Sequence, residues 1–149
     1  MNIKIRFKER LIMTQQNIIH DVMLLSQKST PATQVDIQAA NDLRDTLVAN
    51  STRAAGLAAN MIGIHKNIIA FFVGPLPMVM LNPKIIKKTG EYTTSEGCLS
   101  LEGQRSTKRY KDITVQYDNL NFEKQTQNFT GFIAEVIQHE IDHCNGILI

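Results

Sequence analysis

Apolar residues in the first third of the chain recur at helical spacing. Ile18, Ile19, Val22, Met23 and Leu25 form a stripe within residues 15–26, QQNIIHDVMLLS, and predict a first helix. After the loop STPAT, Thr33 with Asp36 three positions on approximates a capping box. Behind it Val35, Ile37, Ala40, Leu43, Leu47 and Val48 share one broad face of a second helix over about 34–51. The period then shortens. NIIAFFV (67–73) reads as a buried strand, and MVMLNP and KIIKK as two more, separated at Pro83. DITVQYD (112–118) alternates as a strand does, NLNF is a turn, and EKQTQNF pairs back as a hairpin. The last element starts near Thr130 and runs to Asn145, with Gly146 as the residue that ends it. Helices, then strands, then one helix indicate an α+β fold rather than alternating βαβ units. Between the second helix and the first strand lies GLAAN, whose small residues let the backbone approach a ligand closely.

Composition adds bounds. A chain of 149 residues suits a single domain with one core, and 43% hydrophobic with 20% charged residues is ordinary for a soluble protein. The most apolar stretch, NIIAFFVGPLPMVML, is broken by Gly74, Pro75 and Pro77 and is too short to span a bilayer. The basic start MNIKIRFKERLI has no apolar core and no cleavage site, so no secretory signal is expected. Residues 1–12 are expected to be a poorly ordered arm unless Met13 is the true start. The net charge of +2, without a basic stripe interleaved with aromatics, does not argue for a nucleic-acid partner. In a chain with no export signal, Cys98 and Cys144 are expected as free thiols.

Candidate chemistry sits near the end, in QHEIDHCNG (138–146). His139 and His143 are four apart, so on a helix they share a face and can bind one metal ion. Glu140 between them is placed to serve as general base for an activated water. The competing reading is a helix that merely carries two histidines. If there is a metal, its third ligand must come from upstream, because only Cys144, Asn145, Gly146, Ile147, Leu148 and Ile149 follow, and Cys144 is rotated off the shared face. His20 and His65 read as surface residues. Cys98 in SEGCLSLEGQR follows a glycine between strand-like segments, and a thiolate is a strong ligand for a borderline-soft metal.

GLAAN (56–60), EGCLS (96–100) and QHEIDH (138–143) resemble the three signature motifs of the peptide deformylase family, in order and at similar spacing. The resemblance covers nearly the whole chain from about residue 20. It implies antiparallel β-sheets around a central C-terminal helix that carries the HExxH motif. It implies Cys98, His139 and His143 as ligands to one divalent metal ion, usually Fe2+, with Zn2+ or Ni2+ also accommodated. Three ligands leave an open fourth position for water, as in a catalytic site. The implied activity is removal of the formyl group from the N-terminal methionine of new bacterial polypeptides. The metal lowers the pKa of water, Glu140 takes the proton and returns it to the departing amine, and the backbone N–H of Leu99 holds the oxyanion. The implied partner is an N-formylmethionyl peptide on nascent, ribosome-associated chains, and the implied place is a bacterial cytoplasm. The assembly is expected to be a monomer, with no membrane or nucleic-acid partner.

Phe132 and Val136 precede His139 by seven and three residues and resemble the family's methionine pocket, with Gly56 and Leu57 on the opposite wall. Arg105 matches a family arginine near the substrate backbone, with a plain surface arginine as the competing reading. Glu96, Gln138 and Asp142 are expected to support the ligand imidazoles. The departures are specific. Where the family reads Gly-x-Gly-Leu-Ala-Ala-x-Gln, Ala54 replaces the first glycine and Met61 replaces the glutamine that supports the oxyanion. Met has no N–H to give. Losing one such donor costs roughly 10²–10³ in rate. Asn60, one residue away, compensates only if the backbone is re-aimed. Glu135 stands where an apolar residue is common, and Glu102 replaces a frequent proline. The chain stops at GILI, where many members continue with a long helix, a feature that varies between subclasses. Alternatives are therefore a weak deformylase, an enzyme for another formyl or acyl amide, or a silent homologue that binds formyl-peptides.

Overall fold

A computed structural model describes residues 15–148; the arm expected over residues 1–12 and the alternative start at Met13 lie outside them. The elements are α1 (Val22–Leu25), a 3-10 turn (Gln34–Asp36), α2 (Ile37–Ala49), β1 (Gly56–Ala58), a second 3-10 turn (Ala59–Ile62), β2 (Ile68–Val73), β3 (Leu76–Cys98), β4 (Leu101–Asp118), β5 (Lys124–Thr130) and α3 (Gly131–Cys144). The strands form one antiparallel sheet in the order β1-β2-β3-β4-β5. The α+β expectation is met, with α3 packed on the sheet through β1, β2, β4 and β5. Leu43, Leu47, Leu57, Ile69, Phe71, Leu81, Val115 and Ile137 fill the space between layers, all fully buried. Phe71 and Phe129 meet edge to face at 6.0 Å.

Several elements differ from the sequence reading. The first helix shrinks to Val22–Leu25, because the Asp21 carboxylate accepts the Met23 N–H at 2.9 Å and starts the helix there. Upstream, the Ile19 N–H donates to the Met61 carbonyl at 2.7 Å instead of to a helical partner. In the second helix, Asp36 accepts the Thr33 N–H at 2.8 Å, one half of the expected box. The entry turn winds at three residues per turn, which throws Val35 out of phase and leaves it 86% exposed. Val48 is exposed as well, so the buried face is Ala40, Leu43, Thr46 and Leu47.

Pro83 does not end a strand. MVMLNP and KIIKK belong to one strand, β3, whose register slips between Leu81 and Lys84. Asn82 sits at φ 53 in that slip, and its side chain bonds the Ala32 backbone and Asp118. A bulge is where a strand tolerates a proline. Likewise DITVQYD is only the end of β4, which begins at Leu101. The C-terminal helix ends as expected. The Gly146 N–H donates to the His143 carbonyl at 3.0 Å and the Ile147 N–H to the Asp142 carbonyl at 2.9 Å, a Schellman closure with Gly146 at φ 73. A Cβ on Gly146 would collide with the Ser26 carbonyl, so this glycine also lets α3 end against α1.

Candidate metal centre and its cleft

The long β3–β4 hairpin brings Cys98 to the helix. Cys98 is the last residue of β3, Leu99 and Ser100 make the turn, and Cys98 pairs with Leu101. Helical spacing places His139 and His143 on one face of α3, with ring centroids 5.1 Å apart. The Cys98 Sγ lies 3.2 Å from the His143 Nε2. Among the described residues, one donor atom each from Cys98, His139 and His143 gather within 4.8 Å of one another.

The orientation of His139 has a cause. Glu96 lies two residues before Cys98 on β3, just ahead of the register shift at Gly97–Cys98, and both line the cleft. Its Oε1 lies 2.9 Å from His139 Nδ1, which turns Nε2 toward the cleft. Arg109 from β4 grips Glu96 through Nε (3.0 Å to Oε2) and Nη2 (2.7 Å to Oε1), and reaches Asp142 on α3 through Nη1 at 2.7 Å. A buried guanidinium thus ties both carboxylates, and through them the hairpin, to the helix.

The electrostatics follow. Burial opposes ionisation of Glu96, but His139 and Arg109 outweigh it and hold the carboxyl at about 2. Burial works against charge on His139, yet Cys98, Glu96 and Glu140 prevail and push it up to about 10. Burial, His139 and Arg109 together lower His143 to about 4, so its ring is neutral and ligand-ready. Glu140 is raised to about 7 by burial, with His139 pulling the other way. Its Oε1 is 3.9 Å from His139 Nε2.

The residues fit a divalent cation. One soft sulfur and two imidazoles are a donor set for zinc or a first-row transition metal. Glu140 Oε2 is buried with no hydrogen-bond partner among the described residues, as is His143 Nδ1. An orphaned carboxylate oxygen beside three converging donors is costly unless something binds there. Cys98, His139 and Glu140 border a cleft of about 660 Å³, and His143 lies buried behind them.

Residues 15–149 match the polypeptide deformylase family. The chain belongs to the peptide deformylase family. It is 52% identical over 132 residues to a peptide deformylase of Clostridium beijerinckii, covering 89% of this chain and 97% of that protein. It is 41% identical to peptide deformylase 2 of Clostridium acetobutylicum, covering 84% and 85%. Among solved structures, the peptide deformylase of Thermotoga maritima superposes with a TM-score of 0.81 at 29% identity, over 90% of this chain and 94% of that one. The class I type b deformylase of Acinetobacter baumannii, crystallised with Met-Ala-Ser, gives 0.81 at 27% identity, over 90% and 96%.

The other residues singled out from the deformylase motifs are placed unevenly. Leu99, Gly56, Phe132 and Val136 border the cleft. Gly56 is there because nothing larger fits: a Cβ would stand 2.7 Å from Val136 Cγ1 and 3.2 Å from Glu140 Cγ. Leu57 is a correction. Alternation along β1 turns its side chain away from the cleft into the core, fully buried. Arg105 is a second: its side chain is exposed, its hydrogen bond among the described residues is to the Glu102 carbonyl at 3.5 Å, and it does not line the cleft. Of the three supports, Glu96 alone meets an imidazole. Asp142 meets Arg109, and Gln138 clamps α3 to β4 through the Tyr110 N–H and carbonyl at 2.9 Å.

Asn60 is committed elsewhere as well. It lies in the 3-10 turn, and its Nδ2 donates to the His143 carbonyl at 2.9 Å, away from any oxyanion. Met61 does border the cleft, its sulfur accepting the Ala58 N–H at 3.4 Å. Reading the sequence missed Arg109, which lay in a stretch assigned to no element. Its signal was position, since a buried Glu96 needs a cation.

Proposed function

We propose that this deformylase-family chain hydrolyses the N-formyl amide of formyl-methionyl peptides, with Cys98, His139 and His143 as metal ligands and Glu140 as the proton carrier. A divalent ion held by those donors supplies Lewis-acid polarisation and water of lowered pKa. Glu140 accepts the proton of the attacking water and delivers it to the departing amine nitrogen. Its raised pKa suits both halves of that transfer near neutrality. The Leu99 N–H donates to the developing oxyanion. Phe132, Val136 and Gly56 bound the first substrate side chain. Arg109 acts at a distance, holding Glu96 on His139 Nδ1 so that Nε2 stays aimed. The reading extends to ferrous iron as the native ion, with zinc or nickel accommodated, and to a cytoplasmic monomer working on nascent chains. No helix among the described residues is long and apolar enough to cross a membrane.

The observation that carries the proposal is the buried Glu140 with one free oxygen beside the Cys98–His139–His143 triangle. Iron-loaded protein should deformylate formyl-Met-Ala-Ser, and Glu140→Ala should abolish turnover while keeping the metal. Equal turnover by that variant would exclude metal-hydrolase chemistry. A weaker or altered activity is the second reading. Met61 offers no donor, and the Asn60 amide is bonded to two backbone carbonyls, Leu25 at 3.3 Å and His143 at 2.9 Å, so neither supplies a second hydrogen bond to the oxyanion.

A further inference from the structure

The cleft wall on α3 carries a polar group that the proposed reaction does not use. Glu135 is one helical turn before His139, half-buried, and borders the cleft beside Phe132 and Val136. Its neighbours there, together with Met61, Leu99 and Leu101, are apolar. Tyr92 donates its hydroxyl hydrogen to Glu135 Oε1 at 3.1 Å. Tyr92 and Glu96 are four apart on an unbroken stretch of β3, so both reach toward the same side. Glu135 is thereby pinned between a hydroxyl and the Glu96 carboxyl, and among the described residues it forms no ion pair: Arg109 acts on it only from a distance, engaged by Glu96 and Asp142. Burial and the nearness of Glu96 both raise its pKa. Ionised or not, a carboxyl covered by a purely apolar side chain loses water and gains no partner. A side chain of the same length with an N–H restores one.

On the deformylase reading above, we infer that Glu135, held by Tyr92, is a specificity-determining residue that biases the cleft toward a first substrate side chain able to donate a hydrogen bond. Glutamine and methionine are close in length, so formyl-Gln-Ala-Ser and formyl-Met-Ala-Ser isolate the effect. With iron-loaded protein, the Gln/Met ratio of kcat/KM should fall at least tenfold in Glu135→Met, mostly through KM. Glu135→Gln, which keeps a polar group at the site, should stay within about threefold of wild type. If Glu135 only braced Glu96 behind His139, Glu135→Met would slow both substrates alike and lower bound metal, and an unchanged ratio would overturn the inference. Should wild type turn over neither peptide, the deformylase reading fails separately. The same comparison is then made by calorimetric binding of Gln-Ala-Ser and Met-Ala-Ser, where an unshifted affinity ratio refutes the role of Glu135.

Discussion

The base of the cleft and its rim are built on different terms. At the base the groups are held in a chain: Cys98 by the hairpin turn, His139 by Glu96, Glu96 by Arg109, and Arg109 by Asp142. At the rim, Phe132 is 68% exposed, Arg105 faces solvent, and Met61 and Glu135 stand where the family reads glutamine and an apolar residue. Buried, mutually bonded polar groups tolerate little change, because removing one partner strands the other. The exposed groups at the rim carry no such penalty, and Met61, though buried, has only a weak sulfur contact to lose. On the proposed function, the chemistry is therefore fixed at the base, while selectivity is tuned at the rim.

Breaking the base should have the largest effect. Cys98→Ala removes one of three donors, so bound metal should fall from about one equivalent to a trace, with activity lost; elemental analysis after dialysis reads this directly. Glu140→Gln comes next. It should keep the metal but lower kcat by roughly 10²–10⁴, the usual contribution of a positioned acid–base group. Metal loss in that variant would show that Glu140 supports the ion rather than the proton. Glu96→Gln is the third step. It replaces the anionic acceptor on His139 and leaves Arg109 with a weaker partner, so metal affinity should drop by about 10–100-fold in a chelator competition.

The base was also the legible region. A four-residue spacing on a helix and a cysteine after glycine are local patterns, and they located all three donors. What stayed hidden depended on pairing across the hairpin. Residues 89–111 are largely polar on both faces, since much of the β3–β4 ribbon is exposed, and so they lack the alternation that marks a half-buried strand. Without those strands Arg109 had no position and Tyr92 no neighbour. The first helix failed for a different reason. Ile18 and Ile19 do pack against the core, but from an irregular segment, and apolar spacing alone cannot distinguish that from a helix.

Changes at the rim test the other half of the contrast. Met61→Gln should raise kcat/KM by about tenfold. That is less than the ~10²–10³ ascribed to an oxyanion donor, because the amide must also satisfy itself in a fully buried position. The Ala58 N–H, now bonded to the sulfur, gives its oxygen one partner and leaves its N–H₂ toward the cleft. No gain would mean that the Leu99 N–H suffices or that position 61 is misaimed.

Arg105→Ala should do least. The side chain is exposed, and its hydrogen bond among the described residues is a marginal 3.5 Å to the Glu102 carbonyl, although Arg105 pairs with Glu96 in register. An exposed substitution free of caps, strain or buried partners shifts stability by about 0.5 kcal/mol at most, and rate by about twofold on the same scale. A tenfold or greater rise in KM for formyl-Met-Ala-Ser would show that Arg105 swings onto bound substrate. That would move the boundary between the fixed base and the free rim outward to include the start of β4.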